Sequence, residues 1–231
     1  MRQFFVLTRR YLDLVLRDRL LLTVLLAVMP IIGLLLVLIS GANWLVGDSE
    51  MEILNQLTAD LAGSATSATY MIVGKTQTML FMVALAAVLL GLFAAAYEIV
   101  KESSIYQRER MVTLKLLPYL ASKVVVLSAF VLVQSFLLLL VVSLKVKLPA
   151  EGVIVPSVIE MYVSVVLGIL AAIMMGLFVS TLVPNSNTVI YAVLLVLFFQ
   201  IIFAGVIFDL SGAAGQLSKL TLTRWTMEGL G

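Results

Sequence analysis

Residues 20–40 read LLLTVLLAVMPIIGLLLVLIS, a run without one charged side chain. As an α-helix this stretch is about 30 Å long, which matches the thickness of the hydrocarbon core of a bilayer. Pro30 lies inside it and has no N–H to donate, so a neighbouring helix would have to satisfy the carbonyl that is left free. The stretch therefore predicts a membrane-spanning helix that packs against others.

Four further apolar stretches of similar length follow at about 78–97, 124–144, 161–182 and 188–208. Over the whole chain 62% of residues are hydrophobic and only 12% are charged. Soluble domains carry about 25% charged residues, roughly twice as many. We therefore predict an all-α membrane protein in which five transmembrane helices form a single domain, residues 1–231.

The composition also excludes several kinds of site. The chain has no cysteine and no histidine, so it can form no disulfide, thiol nucleophile, histidine acid–base pair or typical zinc site. Its net charge of +2 is small and its basic residues form no long run, which gives no support to nucleic-acid binding. We predict no cofactor or metal in this chain and no catalytic activity of its own.

The first 19 residues have the pattern of an amphipathic helix. At 100° per residue one sector is polar, and most of the remaining circumference is apolar. The pattern predicts a helix lying in the membrane interface, although a basic flank that only sets orientation is the simpler alternative. The polar sector contains Arg2, Arg9, Arg10, Asp13 and Arg17.

Lysine and arginine are distributed unevenly between the two sides of the membrane. Of the 15 in the chain, five precede the first span and five lie between the second and third spans. Positive residues favour the cytoplasmic side, so we expect a cytoplasmic N-terminus in a multi-pass plasma-membrane protein. Five spans then place the C-terminus outside, and we expect a sixth span to be missing from this sequence.

The stretch from 98 to 123 is the most informative polar segment. Glu98, Lys101 and Glu102 are spaced to share one helix face, and a mixed-charge cluster follows at 108–110. Mixed charges give an interface its register and specificity, so the segment suits docking of a soluble partner. An ordinary positive-inside loop is the alternative.

This segment resembles the one that links the second and third spans of type-2 ABC export permeases, particularly the G-subfamily (white/brown-like) group and its bacterial ATPase–permease fusions. The amphipathic helix at 1–19, the short turn at 183–187 and the segment at 209–231 match this family's connecting helix, cytoplasmic turn and external re-entrant segment. The positions that carry the resemblance are Glu98, Arg108, Glu109, Arg110, Tyr119 and Lys123.

The resemblance implies the transmembrane part of an ATP-driven exporter. ATP and Mg²⁺ would be bound by a nucleotide-binding domain in the same or a separate chain, and a second permease copy would complete a dimer in the lipid bilayer. It implies coupling to the ATPase through Glu98, Lys101, Glu102, Tyr106, Arg108, Glu109 and Arg110. It also implies a cavity for a hydrophobic or amphipathic substrate between spans two and five, for which the candidate residues are Met79, Met82, Phe198, Phe199 and Phe203.

The residues alone suggest three other interpretations. Gly74-Lys75-Thr76 looks like the end of a P-loop, but Thr69 stands where such a loop needs glycine. An intramembrane enzyme would need a Ser–Lys or paired-carboxylate site, and no span has a central lysine or aspartate. A non-enzymatic scaffold or channel-like subunit without ATPase coupling stays open.

Overall fold

The computed structural model describes residues 2–45, 65–103, 106, 108, 115–148, 156–206, 208 and 210–231, with only the backbone described at 2, 21 and 65–73. The predicted all-α fold is confirmed. The helices are α1 (Arg2–Arg17), α2 (Arg19–Ile39), α3 (Ala65–Ala96), α4 (Leu116–Ser143), α5 (Ser157–Leu182), α6 (Ser186–Ile202), α7 (Ala213–Ser218) and α8 (Leu222–Glu228), with a 3₁₀ turn at Val100–Glu102.

Within these described residues, four segments are long and apolar enough to cross a membrane: Leu22–Ile39, Gly74–Glu102, Leu116–Ser143 and Ser157–Leu182. The fifth apolar helix, α6, has 17 residues. It stops at Ile202, six residues short of the predicted end at 208, and the chain turns at Gly205, whose φ of +83° is a conformation that glycine adopts without strain. The apolar composition continues past the point where the helix ends.

Two local features concern the ends of the predicted spans. Helix α4 begins at Leu116, before the predicted start at 124, so Pro118 lies within its first turn, where its missing N–H costs nothing because no helical carbonyl is there to accept it. Gly74-Lys75-Thr76 lies inside α3, and the Thr76 hydroxyl donates to the Trp44 carbonyl over 2.6 Å. This stretch is a membrane helix and not a phosphate-binding loop.

Helices α3 and α5 form the most extensive helix pair of the bundle. Their backbones approach closely at two glycines. A Cβ on Gly91 would lie 2.5 Å from the Ile169 carbonyl oxygen, and one on Gly176 would lie 2.6 Å from the Leu92 carbonyl oxygen. Small residues at such crossings let membrane helices gain van der Waals contact, which is their main source of association.

On the other side of the bundle α4 packs mainly on α2 and α1 and contacts α3 only slightly. Gln134 of α4 is 2% exposed and donates to the Leu25 carbonyl over 2.6 Å. This carbonyl is one residue before that of Leu26, whose usual donor Pro30 lacks. Gln134 therefore bonds to the carbonyl next to the one that Pro30 leaves without its helical donor, and a neighbour for the Leu26 carbonyl itself stays a prediction.

The described part of the last predicted segment, residues 210–231, forms α7 and α8. Helix α8 packs against α3, α5 and α6. The Gln200 side-chain oxygen accepts hydrogen bonds from the Thr223 N–H (3.0 Å) and hydroxyl (3.1 Å), and Ser164 donates to the Gly229 carbonyl. These bonds satisfy polar groups of α8 within the bundle, as a segment near lipid requires.

Candidate functional site

A buried lysine, Lys123, lies at the junction of α1, the turn after α3 and the first turns of α4. Its side chain is 2% exposed, and its ammonium is 3.0 Å from a Glu98 oxygen and 2.9 Å from a Glu102 oxygen. Lys101 forms a further ion pair with Glu98. Two ammonium groups therefore balance two carboxylates, which is the condition under which buried charges are tolerated. We call Glu98, Lys101, Glu102 and Lys123 the charge cluster.

Backbone geometry explains how two glutamates reach one lysine. Helix α3 ends at Ala96, and the chain continues through a turn into the 3₁₀ turn Val100–Glu102. The expected single helix face is therefore replaced by a tighter turn, and Glu98 and Glu102 both point at Lys123. Lys123 lies on the second turn of α4, on the face that carries Tyr119.

Two tyrosines complete the surroundings of Lys123. Its ammonium lies 4.5 Å from the ring centre of Tyr11 and 5.3 Å from that of Tyr119, within the range of cation–π attraction. The Tyr119 hydroxyl donates to Glu102 over 2.9 Å, and the Tyr11 hydroxyl donates to Glu98. Burial raises the pKa of the Tyr11 hydroxyl well above its ordinary value, and the Glu98 charge raises it further. Tyr11 therefore remains a donor at neutral pH.

The Ser180 hydroxyl ties the turn after α3 to the end of α5. It accepts hydrogen bonds of 3.0 Å from the N–H groups of Ile99 and Val100. Ser180 is 2% exposed, and these N–H groups lie where α3 has ended and offers no helical acceptor. The turn is thus attached to α5 by Ser180 and to α1 and α4 by the charge cluster.

A cavity of about 240 Å³ adjoins the charge cluster between α1 and α4. Its lining includes Arg10 and Leu14 of α1, Glu102, and the rings of Tyr106 and Tyr119, whose centres are 4.9 Å apart. The wall is mostly apolar, and its charged members are Arg10, Glu102 and Lys123. The opening lies on the side of the bundle that we predict to be cytoplasmic.

The structure describes five of the seven predicted coupling residues. Glu98, Lys101 and Glu102 belong to the charge cluster, Tyr106 lines the adjoining cavity, and Arg108 is exposed. The remaining two, Glu109 and Arg110, lie outside the described residues. Their proposed roles stay predictions.

The predicted substrate residues differ in their surroundings. Met79 is 2% exposed and belongs to the main apolar core, whereas Met82 and Phe198 are 45% and 59% exposed. The rings of Phe199 and Phe203 pack against each other at 4.8 Å. A shared cavity for these five residues remains a prediction that needs a second copy of the chain.

Four residues of this site are not among the functional residues predicted from the sequence. Tyr11 lies in the apolar sector of the α1 pattern, Ser180 is a polar residue inside the predicted span 161–182, and Tyr119 and Lys123 are indicated only by the family resemblance. A lysine five residues after Pro118, at the start of an apolar run, is typical of the edge of a span. The one available signal was that Lys123 and Glu98 border two successive spans with opposite charge.

A family model described as ABC-2 type transporter matches residues 2–230, which is nearly the whole chain. The chain is also similar to the ABC transporter ATP-binding/permease protein Rv1747 of Mycobacterium tuberculosis, with 27% identity over 151 residues. That alignment covers 64% of this chain and 18% of the relative, so the chain matches a small part of a much longer protein.

Proposed function

This chain belongs to the ABC-2 type transporter family, and we propose that it is the membrane-spanning part of an ATP-driven exporter. The family is that of membrane domains of transporters, and the similar mycobacterial protein is named as both ATP-binding protein and permease. In this proposal a nucleotide-binding domain, in the same or a separate chain, hydrolyses ATP. The cargo would be hydrophobic or amphipathic, and two copies of the chain would enclose its path.

The observation that carries the proposal is the placement of the charge cluster. Through Lys123 the cluster joins α4 to the turn that follows α3, and Lys123 also contacts the ring of Tyr11 on α1. Ser180 joins the same turn to α5. A force on the segment 98–123 therefore reaches spans on both sides of the bundle. Coupling of this kind requires that ATP bind two arrangements of the spans with different affinity.

The test uses the chain in membranes of its source organism, with whichever ATPase copurifies. Because the chain has no cysteine, a Leu14→Cys/Tyr106→Cys pair is the only thiol pair and reports on the cavity between α1 and the segment after α3. We expect ATP with vanadate to change the yield of crosslinking by a short bismaleimide. We expect Glu98→Gln, in the same background, to abolish that change while membrane insertion is kept.

Three outcomes decide the proposal. A nucleotide-dependent yield that Glu98→Gln removes supports coupling through the charge cluster. A yield that responds equally in Glu98→Gln supports an ATP-driven transporter and contradicts this route of coupling. A crosslinking yield that ATP with vanadate does not change, in a preparation that contains no ATP-binding protein, contradicts the proposal. That result favours a scaffold or channel-like subunit.

A further inference from the structure

A second cavity, of about 440 Å³, opens between the end of α4 and the beginning of α5. Its walls are almost wholly apolar. We propose that it binds one acyl chain of a phospholipid whose phosphate lies at the level of Lys145 and Lys147. The helices contribute Phe136, Leu139, Leu140, Val158, Ile159 and Tyr162, and we call this surface the α4–α5 groove.

The polar atoms of the α4–α5 groove are already satisfied within the chain. The Tyr162 hydroxyl donates to the Leu132 carbonyl over 3.0 Å, and the Ser143 hydroxyl donates to the Leu140 carbonyl over 2.8 Å. A polar ligand would find no hydrogen-bonding partner to compensate for its lost hydration, whereas a hydrocarbon chain needs none. The chemistry of the walls therefore selects an apolar occupant.

The groove has the direction and position of an acyl chain. Phe136 and Ser143 are seven positions apart on α4, which places them about 10 Å apart along the helix axis. Phe136 is 58% exposed and Val158 48% exposed, so the groove opens on the outside of the bundle, where hydrocarbon surrounds a membrane helix. It thus runs from the end of the span into the apolar layer.

Basic groups stand at the outer end of the groove. Leu148, which follows α4, lines the groove, and Lys147, the residue before it, has an exposed side chain. The Lys147 N–H bonds to the Ala42 carbonyl and the Lys145 ammonium to the Val37 carbonyl, over 2.9 and 2.7 Å. These bonds fix the two lysines where α2 and α4 end, which is the level of phosphate groups in a bilayer. Lysine binds phosphate as a point charge.

The experiment places a fluorescent probe in the groove of the full-length chain. Phe136→Trp is the probe, and Ile31→Trp on α2 is the matched control, since both side chains are similarly exposed (58% and 56%) and both lie near the same end of their helices. The signal of Trp44 and Trp225, measured in the parent chain, is subtracted. Each protein is placed in bilayers of zwitterionic phospholipid in which about one lipid in ten is an anionic phospholipid with a brominated acyl chain, since a lysine at the groove attracts an anionic headgroup in preference to a zwitterionic one.

We expect quenching at Phe136→Trp to exceed that at Ile31→Trp by about twofold or more, because the positive charge of Lys147 enriches the anionic brominated lipid at the groove relative to the bulk. Adding Lys147→Gln should reduce this excess. Equal quenching in the two variants would overturn the proposal, since the groove would then exchange like ordinary lipid. Weaker quenching at Phe136→Trp would also overturn it, because protein, either residues 149–155 or a second copy, would cover the groove. An excess unchanged by Lys147→Gln would contradict the phosphate contact.

Discussion

At the scale of single residues, Lys123 is the most constrained side chain of the described structure. It is the largest of the fully buried side chains, and its charge is balanced by Glu98 and Glu102. Removing one partner from a buried ion pair costs about 3–5 kcal/mol, because the other charge stays buried without compensation. An exposed pair such as Arg224–Glu228 contributes about 0–1 kcal/mol.

We therefore predict that Lys123→Met strongly destabilises the chain, by about 3–5 kcal/mol, since two carboxylates lose their common partner. Lys101→Met should cost much less, because Lys101 is 42% exposed and water replaces it. The measurement is the free energy of unfolding, or the shift of the thermal midpoint, in one detergent. Similar losses for the two lysine variants would show that the charge cluster is not buried in the way described.

At the scale of helices, the α3–α5 pair depends on its glycines. Two glycines of the same helix differ sharply in their surroundings: a Cβ on Gly91 would lie 2.5 Å from the Ile169 carbonyl oxygen, whereas a Cβ on Gly74 would meet nothing within 4 Å. Backbone atoms cannot move aside as a flexible side chain can. The close contact at Gly91 therefore needs the absence of a side chain.

We predict that Gly91→Ala lowers stability by about 1–3 kcal/mol, the usual cost of overpacking, because α3 and α5 must separate. Gly74→Ala is the matched control and should be neutral or slightly stabilising, since alanine favours the helix. Thermal unfolding of the two variants in the same detergent checks this. Equal destabilisation by both substitutions would contradict the packing of α3 on α5.

The sequence predicts helices better than their ends and their partners. An apolar run long enough to cross a bilayer identifies α2 without any knowledge of its neighbours. The end of α6 at Ile202 is different, because residues 203–206 are still apolar and the turn depends on Gly205 adopting a positive φ. The surroundings of Lys123 depend on Tyr11, far away in sequence, so no local pattern indicates them.

At the scale of the whole molecule, α4 and α5 connect the helices that pack on each of them. Helix α3 packs mainly on α5, and α8 joins them, whereas α4 packs on α2, α1 and α5. The consecutive spans α3 and α4 contact each other only slightly along their lengths. The charge cluster connects the turn after α3 to α4. It is thus one of the contacts that a movement of α3 relative to α4 would change.

The orientation of the molecule gives a prediction at this scale. In the cysteine-free chain, Lys147→Cys should react with a membrane-impermeant maleimide added outside intact cells, while Arg108→Cys should react only after the cells are opened. The reason is the excess of lysine and arginine before the first span and between the second and third. Labelling of Arg108→Cys in intact cells would reverse the proposed orientation.

The burial of Lys123 also bears on how the protein is made. When α4 leaves the ribosome and enters the bilayer, its lysine needs the carboxylates of Glu98 and Glu102, which were synthesised earlier, and the ring of Tyr11, which was synthesised first. Until α1 has docked, the Lys123 ammonium is paired with Glu98 and Glu102 but lacks the ring of Tyr11, which covers it in the folded protein. A chain whose first helix is lost would therefore keep the ion pairs of Lys123 and expose them on the side that α1 covers.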